Sequence, residues 1–148
     1  DFLETLIPAG VKLYGSKGFK IGKYGFFHGH AWPSQKLMRC DYLFMGHIQP
    51  AIEFKDKLGY RSRQQIWLKG KLNQTVIKKK YKITSTGKLN IIILPSFNSL
   101  LGSLNVMEKK DLSGPLLTSK AMNLDDMRTY LLDGTYLGIL KYLKKKIR

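Results

Sequence analysis

Short apolar runs that end close to glycine, proline or histidine are the feature of this sequence that most limits its fold. Tyr42–Met45 is the clearest of them, and residues 89–94 form another. A short, nearly all-apolar run is typical of a strand that is buried on both faces, as in the centre of a parallel sheet. We therefore expect a sheet-based core in which 42–45 is a central strand.

Turn signals and capping residues predict the other elements. Strand candidates are 11–14, 19–27, 51–54, 65–68, 75–83, 89–94 and 135–142. Ser34 is a suitable N-cap for a short helix that ends near Arg39, and Asn123 or Asp125 could cap a helix that continues through Leu132. Asp133-Gly134 predicts a tight turn before the last strand.

The composition favours a protein with an anionic partner. The chain has 26 Lys and Arg against 10 Asp and Glu, a formal net charge of +16, and 43% hydrophobic residues, which suffice for a core. No run approaches the roughly 20 apolar residues of a membrane span, so no membrane partner is expected. A single cysteine, Cys40, and no leader-like start predict a reducing, cytoplasmic location.

Half of the net charge comes from residues 53–82, which hold ten Lys and Arg and two Asp and Glu. The candidate contacts for nucleic acid in this stretch are Lys55, Lys57, Arg61, Arg63 and Trp67. Cations neutralise phosphates, and aromatic side chains such as Tyr60 stack on unpaired bases. The alternative is a solvated hairpin with Trp67 in the core.

All three histidines, His28, His30 and His47, lie within 20 residues of one another. Two of them follow apolar strands and are flanked by Gly29 and Gly46, which let the backbone approach a ligand closely. Sites in α/β sheets form beyond the carboxyl ends of strands, where imidazole is a common ligand for divalent metals. The alternative is that these histidines are hydrogen-bonded structural residues.

The segments around the histidines resemble the second half of the calcineurin-like metallophosphoesterases. They are 28–34 (HGHAWPS) and 46–52 (GHIQPAI), and 95–102 (PSFNSLLG) and 133–138 (DGTYLG) are also similar. The branch that they match best is the ICC-like one, which is related to the SbcD-type nucleases. The resemblance extends over nearly the whole chain.

This resemblance implies an α/β fold, namely a metallophosphoesterase-type α/β/β/α sandwich of two mixed sheets with helices outside. Residues 1–148 would form the carboxyl-terminal part of a single metallophosphoesterase domain. The family's Asp-x-His, bridging-aspartate and Asn-His motifs would precede Asp1, so that no catalytic residue other than metal ligands is expected in this chain.

The resemblance also implies the chemistry. In that family two divalent metal ions, here most simply manganese with iron, zinc or nickel as alternatives, are bridged by a hydroxide that attacks phosphorus. His28 and His47 would be ligands of one metal. Gln49 stands where the family's Gly-His-x-His motif has its last histidine and would be a weaker ligand. His30 and Trp32 would orient a ligand or contact substrate.

The expected function is therefore metal-dependent hydrolysis of phosphodiesters in DNA or RNA, a hydrolase activity of the kind that nuclease-related enzymes use in DNA repair. Two alternatives stay open. One is a catalytically weakened metallophosphoesterase-fold scaffold, because Gln49 replaces a ligand. The other is a basic nucleic-acid-binding module without chemistry. The sequence indicates no oligomeric state.

Overall fold

The computed structural model describes residues 6–98, 102–108 and 113–146, with Lys146 described by its backbone. Asp1 and residues 99–101 of the segment 95–102 lie outside the described residues. The elements of the described chain, in order, are β1 (Phe19–Ile21), β2 (Tyr24–Phe27), β3 (Tyr42–Met45), β4 (Pro50–Lys55), β5 (Arg61–Lys71), α1 (Gln74–Tyr81), β6 (Asn90–Ile93), β7 (Leu104–Asn105), α2 (Pro115–Thr118), β8 (Arg128–Leu131), β9 (Tyr136–Ile139) and α3 (Leu140–Lys146). Two 3₁₀ helices, Gln35–Arg39 and Leu124–Asp126, interrupt the connections.

The strands form a mixed α/β arrangement with the order β1-β2-β3-β6-β5-β4-β7, and β8 and β9 continue from β5. Strand β3 is parallel to both β2 and β6, whereas β5 is antiparallel to β6. Because β2, β3 and β6 run in the same direction, their carboxyl ends lie at one edge of the sheet. The prediction of a central strand at 42–45 is confirmed.

Strand β5 is eleven residues long and connects two parts of the sheet. Its first half, 61–65, pairs with β4, and its second half pairs with β6 on one edge and with β8 on the other. The β4–β5 hairpin therefore extends away from the parallel strands, and strand β5 belongs to both parts of the sheet.

One face of the sheet is the core. Leu43 of β3, Ile91 of β6 and Leu68 of β5 are fully buried, and the helices add Leu37 and Ile77 to the same cluster. Burying each such side chain contributes about 2 kcal/mol of transfer free energy. This packing fixes the sheet edge at which the histidines lie.

The opposite face, called here the outer face, is only half covered. A row of directly paired residues crosses it, namely Phe19, Phe26, Phe44, Ile92, Lys69 and Arg128. Rings of neighbouring aromatic residues in this row stack, with centroids 5.2 Å and 5.0 Å apart. The expectation that 42–45 is buried on both faces is therefore wrong, since Phe44 is half-buried and Tyr42 is exposed.

Three predicted elements are wrong. Residues 75–83 form helix α1 rather than a strand, because the Asn73 side chain accepts hydrogen bonds from the backbone N–H groups of Thr75 and Val76 and so starts a helix. The helix expected from Asn123 to Leu132 is only the 3₁₀ turn Leu124–Asp126, since 128–131 pairs with β5. Residues 11–14 do not form a strand.

The other boundaries are closer to the prediction. Ser34 caps the helix that ends at Arg39, although it is a 3₁₀ helix, and 19–27 is a hairpin of β1 and β2. The last strand ends at Ile139, where α3 begins, rather than at residue 142. No helix in the described ranges has the length and apolar character needed to cross a membrane.

Candidate functional site

The three histidines meet at the carboxyl edge of the parallel strands. His28 follows β2 directly and His47 lies two residues after β3. The centroid of the His28 ring is 5.1 Å from that of His47 and 5.1 Å from that of His30, and the rings of His30 and His47 are 6.1 Å apart. The sequence places His28 and His47 beyond the ends of apolar strands, and the structure brings all three rings to that edge of the sheet.

Backbone geometry at the two strand ends brings the rings together. Gly29 has φ +120°, and a Cβ atom at this position would lie 2.9 Å from the Met45 Cγ atom. His47 has φ 59°, in the left-handed region, and the Ile48 N–H donates to the Gly46 carbonyl at 2.7 Å. A left-handed non-glycine residue is uncommon, and its occurrence here turns the His47 side chain towards His28.

The cluster favours neutral imidazole at its centre. Partial burial lowers the pKa of His28, and the adjacent His47 and His30 lower it further by charge repulsion. A neutral imidazole has a free nitrogen lone pair, which is the form that binds metal ions. The lowered pKa of His28 favours this neutral form.

The described residues do not contain a complete metal centre. No group of three His, Cys, Asp or Glu side chains in this part of the chain is arranged to hold a metal ion. Asp41 directly precedes β3, the strand that leads to His47, and its carboxylate accepts a hydrogen bond from the Lys88 backbone N–H at the opposite edge of the sheet. His28 and His47 have the donor chemistry for two ligands of a divalent metal, and Asp41 is not placed to add a third.

Gln49 lies in a different environment from His28. It lines a cavity of 350 Å³ together with His47, Ser103 and Ser113, and His28 is not part of that lining. The Gln49 backbone is also left-handed, with φ 47°, and its carbonyl accepts a hydrogen bond from the Leu104 N–H at 3.0 Å. His47 thus stands between two spaces, one shared with His28 and one shared with Gln49.

Trp32 is held by helix α1. Its ring contacts the edge of the Tyr81 ring at a centroid distance of 5.9 Å, and the Lys80 ammonium lies 4.8 Å from the centre of its face. The Tyr81 hydroxyl donates a hydrogen bond to the carbonyl of Pro33. These contacts anchor the loop that carries His30, so Trp32 has a structural role here. Sequence reasoning missed Tyr81, because the stretch 75–83 was interpreted as a strand.

The predicted basic residues Lys55, Lys57, Arg61 and Arg63 all lie on the β4–β5 hairpin and are exposed. The two arginines share one carboxylate: Glu53 Oε1 is 2.7 Å from Arg61 and Glu53 Oε2 is 3.6 Å from Arg63. The single carboxylate of Glu53 therefore partly neutralises the charge of the two arginines.

Trp67 is on the same strand but not in the same place. It pairs with Tyr130 of β8 and is half-buried, in the part of β5 that lies inside the sheet. Residues 61, 63 and 67 share one face of β5 because side chains alternate along a strand. Trp67 nevertheless lies in the half of β5 that pairs with β8, so the structure does not bring it to the exposed end of the hairpin.

An aromatic cavity of 450 Å³ adjoins the histidines, and sequence reasoning missed it. Its lining includes Tyr14, Phe19, Phe26 and Phe44 together with His28 and His30. The rings of Tyr14 and Phe19 stack at 4.0 Å. The register of β1, β2 and β3 aligns these rings, and that register cannot be obtained from one strand considered separately.

Comparisons with known proteins add no assignment, since no family model, no curated protein and no solved structure matches this chain.

Proposed function

We propose that this chain belongs to a metal-dependent phosphoesterase of the calcineurin-like type. The observation that supports the proposal most strongly is the approach of His28 and His47, from the ends of two parallel strands, to a ring separation of 5.1 Å. Two histidine motifs that are similar to those of the family thus place their imidazoles at one point. A structural role for the histidines would not require both rings to face the same space.

In this proposal His28 and His47 hold a divalent metal ion, with further ligands from outside the described residues. The metal would polarise the phosphoryl group and activate water as the nucleophile. His30, whose ring is 5.1 Å from that of His28, orients His28 or binds a phosphoryl oxygen. The loop anchored by Tyr81 and Trp32 keeps His30 at this distance.

The proposed fold is the α/β/β/α sandwich, with the described sheet as one of its two layers. The half-buried outer face supports this assignment, because the stacked rings of Phe19, Phe26 and Phe44 are only partly shielded from water. Packing a second sheet on such a face removes their exposed apolar area from water, which is the main driving force for sheet-on-sheet packing.

The proposed substrate is a phosphodiester of nucleic acid. Lys55 and Lys57 are exposed on the hairpin that begins three residues after His47. These cations are therefore close in sequence to the histidine cluster. Each phosphate that a lysine neutralises releases counterions, and this makes the affinity depend on salt concentration.

The test is the hydrolysis of bis(4-nitrophenyl) phosphate by the complete protein with added Mn²⁺. We expect His28→Ala and His47→Ala to abolish hydrolysis and to reduce the bound metal, and His30→Ala to lower the rate by about tenfold to a hundredfold. Lys88→Ala is the control, since Lys88 is exposed at the opposite edge of the sheet.

Three results would contradict the proposal. A manganese-replete protein that cleaves no phosphodiester would favour the scaffold, and so would a preparation without stoichiometric metal. Cleavage that is unchanged in His47→Ala would show that the histidine cluster is not the active site.

A further inference from the structure

The β4–β5 hairpin ends in an exposed apolar tip that the histidine cluster does not use. The side chain of Leu58 is 95% exposed and that of Tyr60 is 73% exposed. Single exposed apolar residues are common on protein surfaces. Here two of them lie two positions apart at the end of a hairpin, where no neighbouring strand or helix of the described chain shields them from a ligand.

The tip is held in one conformation. The Oδ1 atom of Asp56 accepts hydrogen bonds from the backbone N–H groups of Leu58 and Tyr60, each at 2.9 Å. The Asp56 N–H donates to the Tyr60 carbonyl at 3.0 Å, and Gly59 supplies the positive φ, +89°, that the turn needs. Binding through a tip that is already ordered loses less conformational entropy than binding through a flexible loop.

Cations flank the apolar tip. Lys55 and Lys57 lie before it and Arg61, which is paired with Glu53, directly after it, and all three are exposed. The Asp56 carboxylate of the turn is occupied by two backbone N–H groups. A partner that satisfies both features must offer anionic groups around an accessible apolar surface. Nucleic acid with unpaired bases does so, because its phosphates lie beside base faces on which an aromatic ring can stack.

We propose that this hairpin is a wedge that binds the junction between duplex and single-stranded nucleic acid. Tyr60 stacks on the first unpaired base, Leu58 packs against the exposed last base pair, and the flanking cations bind phosphates on both sides. Apolar side chains that enter base steps in this way are a known means of recognising unstacked nucleic acid. A blunt duplex offers the phosphates but no splayed base. Cleavage of the bound nucleic acid rests on the proposed function, whereas binding does not.

The chain contains a matched control hairpin. The β8–β9 turn also exposes a leucine, Leu132, which is 57% exposed, and it is also held by an aspartate, since Asp133 Oδ1 accepts from the Thr135 N–H at 2.9 Å. Residues 132–136 include no Lys or Arg. This turn has an apolar tip without the flanking cations.

The experiment measures the fluorescence anisotropy of a labelled blunt duplex and of the same duplex with unpaired arms, in EDTA so that nothing is cleaved. We expect the forked duplex to bind about tenfold more tightly, and Tyr60→Ala and Leu58→Ala each to remove this preference without weakening binding of the blunt duplex. Tyr60→Phe and Leu132→Ala should retain it. Lys57→Ala should weaken both complexes and reduce the salt slope by about one.

Equal affinity for the two duplexes, or an equal loss for both in Tyr60→Ala, would overturn the wedge. Binding to anionic lipid vesicles that is lost in Leu58→Ala, with no change in DNA binding, would also overturn it, because the tip would then be a membrane contact. A wedge that binds forks in EDTA but belongs to a protein without phosphodiesterase activity would leave the binding inference intact and refute the proposed function.

Discussion

Replacing Tyr81 with phenylalanine tests how the histidine loop is anchored. The substitution removes the hydroxyl that donates to the Pro33 carbonyl and keeps the ring that packs against Trp32. A typical intramolecular hydrogen bond contributes about 1 kcal/mol net to stability. The loss of stability is larger when a partly buried carbonyl is left without its donor. We expect Tyr81→Phe to lower the free energy of unfolding by about 1–2 kcal/mol at neutral pH.

The difference between the two proteins should depend on pH in a defined direction. Burial raises the pKa of Tyr81 to about 12. An unfolded tyrosine titrates near pKa 10, so its contribution to stability is complete below about pH 10 and is lost as pH rises towards 12. At about pH 11 the hydroxyl is mostly ionised in the unfolded protein and mostly protonated in the folded one. This difference lowers the free energy of unfolding of the wild type by about 1.4 kcal/mol. Phenylalanine has no proton to lose.

Urea unfolding of both proteins at about pH 8 and about pH 11 measures this difference. We expect the free energy of unfolding of the wild type to exceed that of Tyr81→Phe by about 1–2 kcal/mol at the lower pH, and this difference to fall nearly to zero at the higher pH. Lysine titration affects both proteins equally and cancels. Tyr60→Phe is the control, because the Tyr60 ring is exposed and its substitution should change stability by less than about 0.5 kcal/mol at both pH values. A gap that is absent at pH 8, or that does not change with pH, would refute this reasoning.

Four further substitutions have defined expectations. Asn73→Ala removes the N-cap of α1 and should cost about 1 kcal/mol in thermal unfolding, and an unchanged melting temperature would argue that packing alone starts the helix. Gly29→Ala should cost about 2–4 kcal/mol because of its positive φ and its contact with Met45, whereas Gly46→Ala, whose Cβ would meet nothing closer than 3.6 Å, should be nearly neutral. Glu53→Gln frees both arginines of the hairpin and should tighten binding of single-stranded DNA about threefold at low salt, while weaker binding would show that the carboxylate positions them productively.

The position of the histidines could be predicted from the sequence because it depends on local signals. His28 and His47 each follow an apolar run and a glycine lies beside each, so the edge of the sheet was defined without knowing the pairing. Their mutual distance was not predictable, since it depends on the parallel register of β2 and β3. Nor was the left-handed backbone of His47, which no propensity favours for histidine.

The misassigned elements failed for a different physical reason. Residues 75–83 contain Val76 and Ile77, which favour strands, but the cap at Asn73 and the burial of Ile77 against the core decide for a helix. Conversely, Asn123 caps only one turn, because the adjacent residues gain more hydrogen bonds by pairing with β5. The Asn73 cap is a local signal, whereas the burial of Ile77 and the pairing of β8 with β5 are long-range contacts that outweigh local preference.

The double pairing of β5 has a consequence for how the protein is made. Leu68 and Lys69 pair with β6 on one edge and with β8 on the other, and β8 lies about 60 residues further along the chain. During synthesis β5 and β6 leave the ribosome before β8, so the β8 edge of β5 remains an unpaired strand edge until β8 emerges. Such an edge can template association with other nascent chains. The rate at which β8 arrives therefore bears on the yield of soluble protein as well as on the final fold.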